Sequence, residues 1–276
     1  MNRVMTTASN TMSQLQLKLD LISNNVANID TTGYKRKEGT FSDLLFQQFN
    51  NQQRVEKEKG RLTPHGINMG TGARLGLVKT ISTQGNIKTT NRTLDVAFTK
   101  ENLFFKINVN GKTQYTREGA FHVSPTGPNQ LSLVTASGDH VLDENNQPIV
   151  FSANAKSFTF TENGTLRVDM TNGASQSFNL GIISVKNPQY LEHKQGNIVG
   201  LAENYADLGI TEEDIYTNLT GGLRQEISVT QGALESSNVD LSKEMTDLIS
   251  TQRQYQLQAR SVTLADQMLG LINGVR

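Results

Sequence analysis

The sequence predicts an α+β protein in which N- and C-terminal helices pair as a coiled coil and a mainly antiparallel β domain is inserted between them. Three observations predict this class: a three-four apolar spacing near the N-terminus, a seven-residue repeat near the C-terminus, and short alternating runs between them. Because helices and strands have different periodicities, each pattern indicates one type of element.

Residues 1–33 are predicted to contain the N-terminal helix of a helical domain. Apolar residues recur at steps of three and four at Met5, Ala8, Met12, Leu15, Leu19, Ile22, Val26 and Ile29. Such a narrow stripe is typical of a helix that packs against one partner helix. The alternation over residues 15–21 would suit a strand, but the longer pattern explains more positions and favours the helix. Leu17 and Leu21 widen the apolar face, so we expect more than one neighbour.

The polar segment 28–33 is expected to end this helix. Its short polar side chains compete for backbone hydrogen bonds, and the glycine that closes it can adopt a positive φ. Asn24, Asn25 and Asn28 lower the helix propensity of the last turns. On spacing alone, these amides either lie solvated at a frayed helix end or make specific contacts.

Residues 34–74 are predicted to be an extended linker or loop region. A compact apolar cluster within it is expected to form a short helical segment or a packed loop. The members of this cluster are Phe41, Leu44, Leu45, Phe46 and Phe49. The polar stretch 47–60 cannot bury enough apolar surface to order itself.

Residues 75–200 are predicted to form the β domain. Asn110-Gly111 lies between two alternating runs and predicts a two-residue hairpin, and Asn163-Gly164 predicts a turn that joins two further runs into a hairpin. Several hairpins in succession argue for an antiparallel sandwich or a barrel-like domain.

Residues 201–232 are expected to form an acidic connector, and residues 233–276 the C-terminal helix. The seven-residue repeat of this helix consists of Leu234, Leu241, Leu248, Tyr255, Val262 and Leu269. Gln252 and Asp266 are expected at alternating positions of the same seam. The seam would therefore contain polar residues and would not be a uniform hydrophobic zipper.

Composition narrows the classes of protein. The 276 residues can bury a sizeable core. The 26 basic and 26 acidic residues balance, so no global field attracts nucleic acid or anionic membrane. The absence of cysteine excludes disulfides, zinc–thiolate sites and cysteine nucleophiles. No apolar run is long enough to span a membrane, and the N-terminus lacks the features of a secretory signal peptide.

We predict no catalytic, cofactor-binding or metal site, and therefore no cofactor. The four histidines are dispersed without the spacing of metal ligands, and no Gly-x-Ser-x-Gly nucleophile motif occurs. A wall-associated peptidoglycan hydrolase is an alternative, and it would need two carboxylates that converge in a cleft. The candidates for that role are Glu101, Asp139, Asp143 and Glu144.

Both ends of the chain carry longer motifs. Residues 24–36 read Asn-Asn-Val-Ala-Asn-Ile-Asp-Thr-Thr-Gly-Tyr-Lys-Arg. They resemble the N-terminal signature of the bacterial flagellar rod and hook protein family, which reads roughly Asn-Asn-(Leu/Val)-Ala-Asn-x-x-Thr-x-Gly-(Phe/Tyr)-Lys. Residues 237–245, Ser-Asn-Val-Asp-Leu-Ser-Lys-Glu-Met, resemble that family's C-terminal signature, which continues at Gln252-Arg253, Tyr255 and 266–269.

The middle of the chain carries the same resemblance. Strings similar to those of rod proteins occur at 84–86, 95–98 and 115–121. One departure is Lys100-Glu-Asn-Leu-Phe-Phe105, which stands where the family usually has Gly-x-Gly-Phe-Phe, so the turn before that strand is expected to differ.

The resemblance implies a structural subunit of the flagellar basal-body rod, which polymerises axially and transmits torque from motor to hook. It implies copies of the chain itself, other flagellar rod and hook proteins, and the flagellar export apparatus as partners, with neither nucleic acid nor a small-molecule substrate. It also implies an extracytoplasmic place in the basal body, reached without a cleaved signal peptide. An extracellular coiled-coil adhesin is the other alternative beside the hydrolase.

By the same resemblance, the subunit contacts would fall within the two signatures. The implied contact residues are Asn24, Asn25, Asn28, Thr32, Gly33, Tyr34, Lys35, Ser237, Asn238, Gln252, Arg253 and Tyr255.

Overall fold

A computed structural model of the chain describes residues 2–43, 46–49, 67–70, 72–202, 205 and 209–274. The chain divides into two compact units. The helical unit comprises Met1–Val26, Lys37–Lys79 and Leu241–Arg276, and the β unit comprises Ala27–Arg36 and Thr80–Asp240. The described residues form an N-terminal helix, a mostly antiparallel β region and a C-terminal helix, which confirms the α+β class.

The described helices are α1 (Asn2–Ala27), α2 (Glu212–Ile215) and α3 (Leu241–Gly274). The first strands are β1 (Lys37–Asp43), β2 (Phe46–Phe49), β3 (Ile67–Gly70), β4 (Ala73–Thr80), β5 (Ile87–Thr89), β6 (Val96–Phe98), β7 (Leu103–Val109) and β8 (Lys112–Thr116). Next come β9 (His122–Gly127), β10 (Gln130–Val134), β11 (His140–Val141), β12 (Val150–Ser152), β13 (Ala155–Phe160), β14 (Thr165–Met170) and β15 (Ser175–Asn179). The last are β16 (Ile182–Val185), β17 (Leu191–Gln195), β18 (Ile198–Leu201), β19 (Tyr216–Asn218), β20 (Val229–Gln231) and β21 (Ala233–Glu235).

Helix α1 follows the predicted stripe. Ala8, Leu15 and Ile22, which are seven residues apart, are buried. The stripe positions between and beyond them are half-buried. The helical interpretation of residues 15–21 is therefore confirmed. In a strand, all four of the alternating leucines would lie on one face, whereas in the helix their burial differs. Leu17, on the second strip, is 48% exposed.

Helix α3 half-buries four members of the predicted repeat, Leu248, Tyr255, Val262 and Leu269, but its most buried positions are others. Glu244, Thr251 and Ala265 are buried, whereas Gln252 and Asp266 are exposed, so their placement on the seam was wrong. A residue three or four positions after a seam residue lies close to the same face. The rotation of the helix about its axis decides which of two such neighbouring positions is buried. Periodicity in the sequence does not reveal this rotation.

The start of the C-terminal element also differs from the prediction. Leu234 belongs to strand β21, and the helix begins only at Leu241, which is 46% exposed. None of the helices in the described part of the chain has an apolar stretch long enough to cross a bilayer.

The predicted helical segment or packed loop around Phe41 is wrong for its described members. Phe41 lies on β1, which pairs with β4, while Phe46 and Phe49 are the ends of β2, which pairs antiparallel with β3. The partner strands are remote in sequence, so the local pattern did not indicate them. Leu44, Leu45 and residues 50–66 lie outside the described part of the chain.

The β unit is built around a large antiparallel sheet with the order β12-β10-β11-β7-β8-β18-β17. Strand β16 joins this sheet beside β7, and β13-β14-β15 form a separate three-stranded sheet. The hairpins predicted at Asn110-Gly111 and Asn163-Gly164 are confirmed, as they join β7 to β8 and β13 to β14. Asn102 lies in the segment that departs from the family pattern, and it precedes β7 in a left-handed conformation with a φ of 62°.

The core of the β unit is aromatic and aliphatic. Strand β7 directs Leu103, Phe105 and Ile107 into it. The ring of Phe105 stacks on Phe98 at 4.2 Å and meets the edge of Phe121 at 5.1 Å. Such pairs add to the free energy gained from burying the rings.

The segment 201–232, predicted as a connector, contains regular structure. Strand β19 pairs with β16, and β20 pairs with β6. Ile215 and Leu219 are fully buried, which stabilises this attachment, although the surrounding acidic residues hide the apolar pattern in the sequence. The five-part division of the chain as a whole stays a prediction.

Candidate functional site

The β unit contains a buried cluster of charged residues centred on Glu235. Strand β21 places this residue beside β5, where its side chain is 1% exposed. One carboxylate oxygen accepts hydrogen bonds from Lys35 Nζ at 2.6 Å and from the Gly85 amide at 2.9 Å, and the other accepts one from Arg117 Nε. Charge-assisted hydrogen bonds of this kind are the strongest in proteins.

Arg117 follows β8 and ties the cluster to the centre of the large sheet. Its guanidinium donates to the carbonyl oxygens of Leu103 at 3.0 Å and Lys100 at 2.8 Å. The same group lies 5.7 Å from the centre of the Phe98 ring, within the range of a cation–π contact. Arg117 therefore connects Glu235 to the start of β7.

Lys35 is the second cation of the cluster. Its ammonium also donates to the carbonyl oxygen of Thr83 at 2.7 Å. Burial lowers the pKa of Lys35 below its ordinary value of 10.5, and the positive charge of Arg117 lowers it further, while the hydrogen bond to Glu235 opposes both effects. Removing one member of such a buried set leaves another charge uncompensated, which is strongly unfavourable.

Gly33 lies against the same cluster through its backbone. Its amide donates to the Glu235 carbonyl oxygen at 2.9 Å, and its φ is +69°. A Cβ atom at this position would come within 2.8 Å of the backbone of Arg117 and Glu118. The glycine therefore meets two requirements, a left-handed backbone and a close approach of two chains.

A second polar group holds the turn before Gly33. Asn197 donates through its side-chain amide to the carbonyl oxygen of Thr32 at 3.0 Å and to the Glu118 carboxylate at 2.9 Å. The Thr32 hydroxyl donates to the same carboxylate at 3.2 Å. The turn is thus held to the β unit from both its backbone and its side chain.

Asn25, in the helical unit, is 1% exposed and fully engaged. Its amide NH₂ donates to the Lys37 carbonyl oxygen at 2.8 Å and to the Glu244 carboxylate at 3.2 Å, and its Oδ1 accepts from the Lys37 amide at 3.0 Å. The interpretation of a solvated, frayed helix end is therefore wrong for Asn25.

Asn238, in the β unit, has a similar set of bonds. Its Oδ1 accepts from the Arg36 amide at 2.7 Å, and its NH₂ donates to the carbonyl oxygens of Ile81 at 2.8 Å and Thr83 at 3.0 Å. Because Thr83 also accepts from Lys35, Asn238 and the charged cluster share one acceptor.

The remaining predicted site residues are distributed more widely. Asn28 accepts a hydrogen bond from the Thr31 hydroxyl at 3.2 Å, and the Ser237 hydroxyl accepts one from the Val239 amide at 3.3 Å. Tyr34 is buried, Tyr255 is half-buried, and Asn24, Gln252 and Arg253 are exposed.

The structure therefore brings Thr32, Gly33, Lys35 and Asn238 together in the β unit. Sequence reasoning missed the two residues that complete the cluster, Arg117 and Glu235. Arg117 lies in the rod-like string 115–121, but a single arginine in a strand-rich region gives no indication of its partner. Pairing between remote segments is decided by the fold.

Three of the four carboxylates considered for a hydrolase make other contacts. Glu101 accepts from the Gln84 amide at 3.3 Å, and Asp143 accepts from the Asn145 and Gln147 amides, both at 2.8 Å, within its own turn. Glu144 lies 3.6 Å from Arg224. Among the described residues, no group of three or more acidic, histidine or cysteine side chains could hold a metal ion.

Comparison with known proteins matches three segments of the chain to family models. Residues 5–35 match "Flagella basal body rod protein", residues 102–168 match "Flagellar hook protein FlgE/F/G D1 domain", and residues 230–275 match "Flagellar basal body rod FlgEFG protein C-terminal". Lys35, Arg117 and Glu235 each come from a different one of these segments. The charged cluster is thus the point where all three meet.

Similar proteins match over nearly their whole length. The chain is 45% identical to the flagellar hook-basal body complex protein FlhP of Bacillus subtilis, with 100% of both chains covered. It is 33% identical to the flagellar basal-body rod protein FlgG of Agrobacterium fabrum, with 98% of each covered. It is 31% identical to FlgG of Bacillus subtilis, over 94% of this chain and 93% of that protein.

A helix-flanked β protein with these relatives is a structural protein and not an enzyme. The chain belongs to the flagellar basal-body rod protein family.

Proposed function

We propose that this protein is a subunit of the flagellar basal-body rod that polymerises axially and carries torque from the motor to the hook. The observation that carries the proposal is the match over nearly the full length to proteins named as basal-body rod components. The partners proposed from this are copies of the chain itself, other rod and hook proteins, and the flagellar export apparatus. The proposed location is the extracytoplasmic part of the basal body, reached without a cleaved signal peptide.

The exposed apolar face of α3 supports polymerisation. Leu257, Leu264 and Leu271 are 60%, 59% and 70% exposed, and they recur every seven residues along the helix. Further exposed apolar residues on α3 are Leu241, Met245, Ile249, Met268 and Ile272. A repeat of this kind is typical of a surface that packs against another helix. We assign this face to neighbouring subunits.

We further propose that α1 and α3 pair as a coiled coil within the chain. Helix α1 buries Ala8, Leu15 and Ile22, which are seven residues apart, and α3 buries Glu244, Thr251 and Ala265, which are seven and fourteen residues apart. The hydrogen bond between Asn25 and Glu244 links the C-terminal end of α1 to the first turn of α3.

Among the predicted contact residues, Asn24, Gln252 and Arg253 are the best placed to contact neighbouring subunits directly, because their side chains are exposed. Asn28, Thr32, Ser237, Asn238 and Tyr255 are half-buried and offer part of their surface. Asn25, Gly33, Tyr34 and Lys35 are buried in their own chain. We propose that these four act on assembly indirectly, by shaping the segments that carry the contacts.

The experiment replaces Leu264 and Leu271 with glutamine. Each leucine buried against a neighbour would contribute roughly 1.5–3 kcal/mol, so polymerisation should be lost while the monomer keeps its thermal midpoint. Assembly is measured by sedimentation and by electron microscopy of isolated basal bodies carrying a labelled copy. Gln256→Ser, an exposed polar change on the same helix, is the control. Normal incorporation of the double variant into rods would contradict the assignment of this face.

A further inference from the structure

The chain passes between the helical unit and the β unit four times, after Val26, Arg36, Lys79 and Asp240. Each unit is therefore assembled from segments that are discontinuous in sequence. Two asparagines lie next to the passages, Asn25 in the helical unit and Asn238 in the β unit.

In the helical unit, Asn25 immediately precedes the first passage. Its NH₂ group donates to the carbonyl oxygen of Lys37 at 2.8 Å, and its Oδ1 accepts from the Lys37 backbone amide at 3.0 Å. Lys37 is the first residue after the second passage. The remaining donor reaches Glu244, in the first turn of α3 after the last passage. One side chain thus holds three of the segments that enter or leave this unit.

In the β unit, Asn238 shortly precedes the last passage. Its Oδ1 bonds the backbone of Arg36, the last residue before the second passage, and its NH₂ bonds Ile81, just after the third. The Ile81 amide in turn donates to the Arg36 carbonyl oxygen at 2.8 Å. Three segments are again joined by one amide.

We propose that Asn25 and Asn238 are positioning residues that pin together the segments through which the chain passes between its two units. An asparagine side chain suits this role because it carries both a donor and an acceptor and can mimic a backbone peptide group. Aspartate would lose the donor, and glutamine would displace the amide by a methylene group. The idea that mechanical load passes along these segments rests on the proposed structural role. The hydrogen bonds of Asn25 and Asn238 do not depend on that role.

The test measures amide hydrogen exchange in the purified full chain. In Asn25→Ala the Lys37 amide loses its acceptor, and in Asn238→Ala the Arg36 amide loses its acceptor. Each should exchange about fivefold to tenfold faster, the effect of losing one such hydrogen bond. The Lys106 amide, bonded to Gly181 within the sheet at 2.8 Å, should be unchanged. Trypsin should also cleave faster after Arg36 in Asn238→Ala.

Aspartate variants test the donor bonds separately, and the Lys106 amide reports whether the β unit is folded. Asn25→Asp and Asn238→Asp keep the acceptor but lose the donor bonds, so we expect tryptic cleavage near Arg36 to rise several-fold while the Lys106 amide stays protected. The matched controls are Asn24→Asp, which is exposed on the same helix, and Asn187→Asp, whose side chain makes one exposed bond to the Asp214 carbonyl oxygen at 2.8 Å. Equal effects in the variants and their controls, or equal acceleration at all amides, would overturn the proposal. Neither readout depends on rod assembly, so both remain valid if the proposed function fails.

Discussion

Lys35 Nζ lies 2.6 Å from Glu235 Oε1, although 200 positions separate the two residues in the sequence. Their side chains are 6% and 1% exposed. This buried ion pair links the N-terminal signature to β21, which directly precedes the C-terminal signature, and Arg117 is the third member.

Glu235→Gln should lower the free energy of unfolding by about 3–5 kcal/mol, because it leaves Lys35 and Arg117 buried without a countercharge. The measurement is urea unfolding of the monomer at neutral pH. Glu192→Gln is the control, since Glu192 pairs with Lys194 at 2.9 Å but is 51% exposed. The control should cost less than about 1 kcal/mol. Equal losses in the two variants would show that the buried cluster contributes no more than a surface pair.

The Lys35 ammonium should make stability depend on alkaline pH. Because its pKa is lowered in the folded protein, chiefly by burial, the unfolded chain binds more protons between that value and 10.5. The contribution of Lys35 to the free energy of unfolding should therefore rise with pH across this window. Compared with wild type, Lys35→Met should lack this rise in urea unfolding measured from neutral pH up to pH 10.5, whereas the exposed Lys112→Met should retain it.

Tyr216 should have the opposite effect on stability. Burial raises its pKa above the ordinary 10.0, helped by a hydrogen bond from its hydroxyl to Glu212 at 2.6 Å. The folded protein then holds a proton that the unfolded chain releases, so this stabilisation is complete below pH 10.0 and is lost as the pH rises above it. Tyr216→Phe should flatten the alkaline loss of stability. An unchanged slope would contradict the raised pKa.

Gly33→Ala should cost more than an ordinary glycine substitution. Its φ of +69° disfavours any side chain, and the new methyl group would clash with the backbone of Arg117 and Glu118 at 2.8 Å. Gly173→Ala is the control, because Gly173 has a φ of +81° but nothing within 4 Å of the added atom. The control should cost about 1–2 kcal/mol from backbone strain alone. We expect a distinctly larger loss at Gly33, measured as a fall in the urea midpoint, and equal losses would contradict the close approach.

The sequence by itself determined the terminal helices and the hairpins. The three-four stripe of α1 extends from Met5 without interruption, and Asn110-Gly111 carries its own turn chemistry. Both signals are local, because side-chain periodicity and positive-φ preference act within a few residues. The family also followed from contiguous motifs at the two ends of the chain.

Only the tertiary structure decided which residues those motifs bring together. The rotation of α3 placed Thr251 inside and Gln252 outside, a choice of one position in the sequence that periodicity left open. Glu235 acquired Lys35 and Arg117 as partners through β21 and the turn at Gly33, and no local pattern carries that pairing. A charge has no preferred partner in the sequence. A buried charge acquires a partner when the chain folds, because burying the charge without one would cost free energy.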